Sequence, residues 1–196
     1  MKRVFIIHGW ADGPGSNWIP WLMAELSKKG FEVHAPQMPN TNSPKMGEWV
    51  LRISEQVGEP DTDTYFVGHS LGCQAILRYL EGLAAGKSIG GAVLVAGFMT
   101  IRPSAMKGSA KKVLSPWVDN RIDLPKARAH ARIFVSIFSA NDPWIPLDDA
   151  KEFEKGLESK VIIMPGAGHF TAGDGYLQLH AALNELLKIA SIRDAP

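Results

Sequence analysis

The chain has 196 residues, of which 45% are hydrophobic and 21% charged, and its formal net charge is +1. This length and apolar fraction suit one globular domain spanning residues 1–196 with a sizeable core. The charge is near neutral, without a dense run of lysine and arginine, and no apolar run is long enough for a membrane span, so we expect neither a nucleic acid nor a membrane as a partner.

Cysteine usage and the start of the chain indicate the compartment. Cys73 is the only cysteine, so no disulfide can form within the chain, as is common in a reducing environment. The first residues are followed by a short apolar run that His8 and Gly9 interrupt, which is too short for the core of a signal peptide. We therefore expect a cytoplasmic protein.

Apolar runs that end at turn residues predict strands, and helical spacing of apolar residues predicts helices. The predicted strands cover about residues 3–8, 31–35, 64–68, 91–96, 132–139 and 160–164. The predicted helices cover about residues 17–29, 45–57, 71–84, 147–157 and 175–190. Because strands and helices alternate, we expect an α/β fold with a mostly parallel six-stranded sheet and helices on both faces.

The third predicted strand runs into the sequence Gly-His-Ser-Leu-Gly at residues 68–72, and a helix follows directly. A Gly-x-Ser-x-Gly between a strand and a helix is typical of a nucleophile elbow, in which the serine sits at the tip of a sharp turn. The glycines have a steric reason, because a Cβ at Gly68 or Gly72 would collide with neighbouring chain. Ser70 is therefore the candidate nucleophile, and the helix N-terminus beneath it favours negative charge.

The segment 97–130 interrupts the alternation of strands and helices. It is long, basic in places, and contains Pro103, Pro116 and Pro125. Long irregular segments in compact domains are uncommon and often act as lids. We expect this segment to form a small, partly helical cover over a shallow and fairly open pocket.

A candidate acid follows the fifth predicted strand. Asp142 lies just beyond that strand, on a turn that Pro143 sets. Ligands of an open parallel sheet bind outside the carboxyl ends of its strands, and Asp142 falls at that edge. Four other acids compete for the role, of which the last two also suit the first turn of a helix: Asp119, Asp123, Asp148 and Asp149.

A candidate base follows the sixth predicted strand. His169 lies in the sequence Pro-Gly-Ala-Gly-His-Phe, which forms a glycine-rich loop at the same edge of the sheet. The remaining histidines either come too early in the chain or lie on predicted helices. The order of the three candidates is therefore serine, acid and histidine.

This order, together with the elbow, resembles the α/β-hydrolase superfamily. The first strand ends in His-Gly-Trp at residues 8–10, which resembles the family's oxyanion loop. The short length, the tryptophans at 18 and 21 and the sequence around His169 resemble more narrowly the small-hydrolase group that contains retinoblastoma-binding serine hydrolase and the bacterial YdeN-like proteins. Asn17 departs from that group, because we expect a histidine before the tryptophan.

The resemblance implies a serine hydrolase, and an esterase in particular, that cleaves small-molecule esters or amides through an acyl-enzyme on Ser70. His169 would be the general base, and Asp142 would orient it. The backbone N–H groups of Trp10 and Leu71 would stabilise the oxyanion. No metal and no other cofactor is implied.

Further side chains are expected beside the serine. His8 suits a structural partner for the first loop, and His69 suits a packing or hydrogen-bonding position. An apolar substrate pocket would be lined by aromatic residues of the surrounding loops: Phe98, Trp117, Trp144 and Phe170. The alternative to an enzyme is a catalytically idle α/β-hydrolase that acts as a protein-binding module. A dehalogenase would need an aspartate at the elbow, where this chain has Ser70.

Overall fold

A computed structural model describes residues 1–192. Within these residues six strands form one sheet, in which every neighbouring pair is parallel, in the order β2-β1-β3-β4-β5-β6. The strands are β1 (Arg3–Ile7), β2 (Glu32–His34), β3 (Thr64–His69), β4 (Gly91–Val95), β5 (Phe134–Ser139) and β6 (Lys160–Met164). Because all strands run in the same direction, the loops that leave their C-terminal ends meet at one edge of the sheet.

Helices cover both faces of the sheet. They are α1 (Ile19–Lys28), α2 (Met46–Val57), α3 (Leu71–Glu81), α4 (Gly108–Asp119), α5 (Leu124–Arg128), α6 (Asp149–Leu157) and α7 (His180–Ser191). Apolar residues of α1 and α7 pack on one face, and those of α2 to α6 pack on the other. Successive side chains of a strand point to opposite faces of the sheet, so each strand contributes to both cores. Phe5 and Phe66 belong to one core, whereas Val4 and Val67 belong to the other.

The predicted architecture is confirmed, since all six strands and all five helices are present near their predicted positions. The last helix starts later than predicted. Residues 172–174 form a separate 3₁₀ turn, closed by reciprocal hydrogen bonds between Thr171 and Asp174, and α7 begins only at His180. The apolar residues within 176–179 favoured a helix from the sequence, but the chain turns at Gly175 and the helix begins only after these residues.

The cover segment contains two helices, α4 and α5, in agreement with the expected partly helical cover. The second half of α4 is anchored to the body. Trp117 is buried against Trp49 at a ring-centroid distance of 5.8 Å and donates its indole N–H to the Pro44 carbonyl at 3.3 Å. The Arg78 guanidinium donates to the Trp117 carbonyl at 2.8 Å. The first turn of α4 is mostly exposed and extends over the C-terminal edge of the sheet.

None of the helices formed by residues 1–192 combines the length and the apolar composition that crossing a bilayer requires.

Candidate active site

Ser70 occupies a strained turn between β3 and α3. Its backbone has φ 53° and ψ −117°, a conformation that residues with a side chain rarely adopt. An ideal Cβ at Gly72 would lie 2.2 Å from the Ile7 carbonyl oxygen, and one at Gly68 would lie 3.0 Å from the Cys73 backbone nitrogen. Gly72 therefore requires glycine and a side chain at Gly68 would be tightly crowded, so the steric expectation from the sequence is confirmed.

Asp142 and His169 form a buried pair. The Asp142 Oδ2 lies 2.7 Å from His169 Nδ1, and both side chains are almost fully excluded from solvent. The other carboxylate oxygen of Asp142 accepts the backbone N–H groups of Trp144 at 2.8 Å and Ile145 at 3.0 Å. The turn after β5 therefore fixes the carboxylate, and the carboxylate leaves Nε2 as the ring nitrogen of His169 that is available to a third group.

The loop that carries His169 is held by groups that sequence reasoning did not single out. The backbone N–H of His169 donates to Asp174 Oδ2 at 3.0 Å, and that of Gly168 donates to Asn141 Oδ1 at 2.9 Å. The Thr171 hydroxyl also donates to Asp174, at 2.7 Å. These bonds connect the loop to its own 3₁₀ turn and to the loop after β5, so the position of the imidazole is set from both sides.

The electrostatic environment favours the neutral form of His169. Burial lowers the pKa of His169 below the ordinary histidine value, the hydrogen bond to Asp142 opposes that effect, and the nearby His69 adds to it. A neutral imidazole that donates from Nδ1 to a carboxylate carries its lone pair on Nε2. This is the form that can accept a proton from a hydroxyl group.

Ser70 and His169 line the same cavity, whose volume is about 390 Å³. The first loop, the elbow, the loops that carry Trp144 and His169, and the cover all contribute lining residues. The lining residues are Gly9, Trp10, Ala11, Asp12, His69, Ser70, Leu71, Phe98, Ile101, Ala105, Ala110, Leu114, Trp144, Ile145, His169 and Thr171. Most of these side chains are apolar, as is usual for a small-molecule site.

The four predicted pocket aromatics divide into two pairs. Phe98 and Trp144 line the cavity, and the Trp144 ring lies edge-on to His169 at a centroid distance of 4.4 Å. Trp117 instead faces Trp49 in the core, because its place on α4 points it towards α2. Phe170 has a left-handed backbone, with φ 59°, and is buried on the α1 and α7 side of the sheet. The prediction that Trp117 and Phe170 line the pocket is therefore corrected.

The first loop brings backbone donors close to the serine. An ideal Cβ on Gly9 would lie only 3.4 Å from Ser70 Cβ, so the loop approaches as closely as a glycine allows. Trp10 and Leu71 both line the cavity. Within residues 1–192, neither of their backbone N–H groups has an assigned hydrogen-bond acceptor. Both N–H groups are therefore free to donate to a group bound in the cavity, and an oxyanion is stabilised where two such donors converge on it.

His8 holds this loop in place. Its Nδ1 lies 2.8 Å from the Gly9 carbonyl oxygen, and its Nε2 accepts the Met38 backbone N–H at 3.1 Å. Burial lowers the pKa of His8, which keeps the ring neutral with the proton on Nδ1. The expected structural role of His8 is confirmed.

His69 joins the elbow to the histidine loop. Its Nε2 lies 2.9 Å from the His169 carbonyl oxygen, to which it donates. Its Nδ1 lies 3.8 Å from Asp12 Oδ2, too far for a hydrogen bond, and has no hydrogen-bond partner within the part of the chain that the structure describes. The Trp18 ring packs edge-on against the imidazole at 5.7 Å.

Asn17 has a specific structural role at the position where a histidine was expected. Its backbone is left-handed, with φ 54°, a conformation that asparagine tolerates better than most residues. Its amide nitrogen donates to Asp12 Oδ2 at 3.1 Å, and its amide oxygen accepts the Ala172 backbone N–H at 2.8 Å. Asn17 therefore joins the first loop to the loop that carries His169.

The acids that competed with Asp142 lie elsewhere. Asp123 caps α5 by accepting the Lys126 backbone N–H at 3.0 Å, and Asp148 is exposed beside Lys151. Asp149 lies in the first turn of α6, as expected, but its side chain is buried and has a further role. It accepts the backbone N–H groups of Met99 at 2.7 Å and Thr100 at 2.8 Å, which fixes the start of the cover.

No cluster of three or more histidine, cysteine, aspartate or glutamate side chains within residues 1–192 has an arrangement that would hold a metal ion.

Comparison with known proteins agrees with this architecture. A solved structure of the ydeN product of Bacillus subtilis superposes with a TM-score of 0.90 at 29% identity, covering 98% of this chain and 100% of that one. Est1E from Butyrivibrio proteoclasticus has the same fold, with a TM-score of 0.70 at 14% identity, covering 97% of this chain and 89% of that one. The fold is that of an α/β-hydrolase.

Sequence comparison identifies the protein family within this fold. The family described as serine hydrolase matches residues 4–188. The YdeN hydrolase of Bacillus subtilis is 31% identical over 91% of this chain and 90% of its own length. Serine hydrolase RBBP9 of Rattus norvegicus is 24% identical over 83% of each chain. The chain belongs to the serine hydrolase family, and the resemblance inferred from its motifs is confirmed.

Proposed function

We propose that this protein is a carboxylesterase that cleaves small esters, or amides, through an acyl-enzyme on Ser70. The observation that carries the proposal is the buried Asp142–His169 pair, at 2.7 Å, beside a strained serine that opens on the same cavity. Such a set supplies a nucleophile, a base and an orienting acid. The chemistry needs no cofactor, and the expected partner is a small molecule.

The acylation step follows from the states of these groups. The Ser70 Oγ attacks the carbonyl carbon of the substrate while its proton moves to Nε2 of His169. Asp142 keeps the other proton of the ring on Nδ1 and stabilises the imidazolium that forms. The carbon–oxygen bond to the leaving group then breaks, and the imidazolium gives its proton to the departing alkoxide.

The backbone N–H groups of Trp10 and Leu71 stabilise the negative oxygen of the tetrahedral intermediate. Each such donor is typically worth about 3 kcal/mol of transition-state stabilisation. The N-terminus of α3 adds the positive end of its dipole directly beneath Ser70. Because the elbow and the first loop are fixed by Gly72, Gly9 and His8, these donors are in place before the reaction begins.

Deacylation reuses the same groups. A water molecule attacks the acyl carbon, His169 accepts its proton and returns it to the Ser70 Oγ, and the carboxylic acid leaves. A cavity of about 390 Å³ lies near the lower end of the range for small-molecule sites, which favours short acyl chains.

Labelling with a fluorophosphonate probe tests the proposal. The probe should modify the wild-type protein covalently, and Ser70→Ala should abolish the label while the protein stays folded. Ser104→Ala, at an exposed serine of the cover, is the matched control and should label normally. Labelling of Ser70→Ala at the wild-type rate would place the nucleophile elsewhere. A folded wild-type protein that takes no label would favour the idle, protein-binding alternative.

A further inference from the structure

The cavity contains one feature that ester cleavage does not require, which is the carboxylate of Asp12. Among the described lining residues it is the only acid, and most of its neighbours there are apolar. Its side chain is 25% exposed, so it faces the cavity without being free in solvent. Burying a carboxylate in an apolar wall is costly unless a partner compensates for its lost hydration.

The surroundings of Asp12 keep it charged and fixed. Burial raises the pKa of Asp12, but interactions with His69 and Ser16 outweigh that effect and leave the pKa below its usual value. The Asn17 amide nitrogen donates to Asp12 Oδ2 at 3.1 Å, and the Asn17 amide oxygen accepts the backbone N–H of Ala172 in the loop that follows His169. The carboxylate is thus an ionised group in a set position rather than a mobile surface acid.

Asp12 lies close to the serine. The position that a Cβ would take on Gly9 is 3.3 Å from Asp12 Oδ2 and 3.4 Å from Ser70 Cβ, so these two atoms are separated by no more than the sum of those distances. In an acyl-enzyme, four bonds of about 1.5 Å each separate the serine Cβ from a nitrogen on the α-carbon of the acyl group. Such a nitrogen can reach a hydrogen-bonding distance of about 2.8 Å from the carboxylate.

We propose that Asp12 binds a protonated amine on the α-carbon of the acyl group, so that the preferred substrates are α-amino acyl esters or amides. The apolar side chains of Phe98, Ile101 and Leu114, which line the same cavity, accept the uncharged part of the substrate. This inference rests on the proposed function, because it assumes that acylation occurs at Ser70.

Charge balance in the transition state supports the same substrate class. With a neutral acyl group, the Asp12 carboxylate repels the oxyanion that forms nearby and slows the reaction. With an ammonium group between them, both negative charges have a cationic neighbour. Asp12 therefore discriminates in two ways, by attracting the amine and by penalising acyl groups that lack it.

The test compares two p-nitrophenyl esters of nearly the same shape, alanyl and isobutyryl, in which a methyl group replaces the ammonium. The readout is the ratio of their kcat/KM values in the wild type and in Asp12→Asn, so the intrinsic reactivity of each ester cancels. We expect the alanyl value to fall about 10- to 100-fold, as for loss of a hydrogen bond to a charged group, and the isobutyryl value to rise. Asp148→Asn, at an exposed acid outside the cavity, should change neither value.

The outcomes separate the inference from the proposed function. If Asp12→Asn lowers both values by the same factor, Asp12 is merely structural and the inference fails. If the wild type cleaves both esters but the ratio is unchanged in Asp12→Asn, the inference fails while the esterase proposal stands. If the wild type cleaves neither ester and takes no fluorophosphonate label, both fail.

A second measurement on the wild type keeps the test independent of how Asp12→Asn folds. The ratio of alanyl to isobutyryl kcat/KM, with each value divided by the hydrolysis rate of the same ester in buffer at the same pH, should fall as the pH rises through the pKa of the substrate amine, because the neutral amine no longer pairs with the carboxylate. Changes in the protein's own histidines affect both esters and cancel in the ratio. A ratio that stays constant across this range would overturn the inference.

Discussion

Replacing Asp142 by asparagine tests the proposed roles of two residues at once. The carboxylate accepts three hydrogen bonds, from His169 Nδ1 at 2.7 Å and from the backbone N–H groups of Trp144 at 2.8 Å and Ile145 at 3.0 Å. In Asp142→Asn the amide oxygen can keep both backbone bonds, which leaves the amide NH₂ facing His169. Because that NH₂ only donates, Nδ1 must then accept, and the ring proton moves to Nε2.

The magnitude follows from this change of tautomer. With a proton on Nε2, His169 cannot take the Ser70 proton, and the imidazolium loses its counter-charge. In a comparable triad the same replacement lowers kcat about 10⁴-fold, which corresponds to about 5 kcal/mol of transition-state stabilisation. Since both backbone bonds persist, we expect the melting temperature to fall by no more than about 4 °C, the shift that ~1 kcal/mol produces in a protein of this size.

The assay is hydrolysis of p-nitrophenyl acetate, with the melting temperature followed by circular dichroism. Asp148→Asn is the matched control, because Asp148 is exposed and its partner among residues 1–192 is Lys151, in the first turn of the helix that follows it. If Asp142→Asn keeps more than a tenth of the wild-type kcat, His169 does not depend on this carboxylate and the assignment of Asp142 as the orienting acid is refuted. A large loss of stability would instead show that the backbone bonds of Asp142 were broken.

Three further predictions concern the pH profile, the acyl pocket and the elbow. The apparent pKa of the acidic limb of the kcat/KM profile should lie below the ordinary histidine pKa of about 6.5, because burial lowers the pKa of His169 and only its neutral form can accept a proton. An apparent pKa above that value would contradict the buried environment of His169. In a chain-length series, p-nitrophenyl acetate and butyrate should react faster than palmitate, and a rate that climbs to palmitate would mean an acyl channel deeper than the cavity of about 390 Å³. Gly72→Ala should prevent folding or lower the melting temperature sharply, because the new Cβ would lie 2.2 Å from the Ile7 carbonyl oxygen. Gly47→Ala, in open space on α2, is the control and should be neutral or slightly stabilising.

The sequence was informative wherever a residue's position depends on local order along the chain. Ser70, Asp142 and His169 each come after a predicted strand, and parallel strands bring the loops at their C-terminal ends to one edge of the sheet. The elbow glycines were predictable because they belong to a recognisable motif, although the group that excludes a side chain at Gly72 is the Ile7 carbonyl of β1. The order of the elements along the chain already determines the direction of the sheet and the edge at which these residues meet.

The supporting residues depend on contacts between distant parts of the chain, which one sequence does not reveal. Asn17 binds the backbone of Ala172, 155 residues further on, and Asp149 binds the backbone of Met99 and Thr100. Asp12 has no motif around it and becomes notable only because the first loop turns it towards Ser70.

The cover lines the substrate cavity, whereas the proposed reacting groups lie outside it in the sequence. Ile101, Ala105, Ala110 and Leu114 all line the cavity, and all four belong to one continuous stretch of chain. That stretch is attached at its two ends, by Asp149 before it and by Trp117 after it, and contributes none of the proposed reacting groups. Substitutions in this single stretch can therefore change the range of substrates while the reacting groups stay the same.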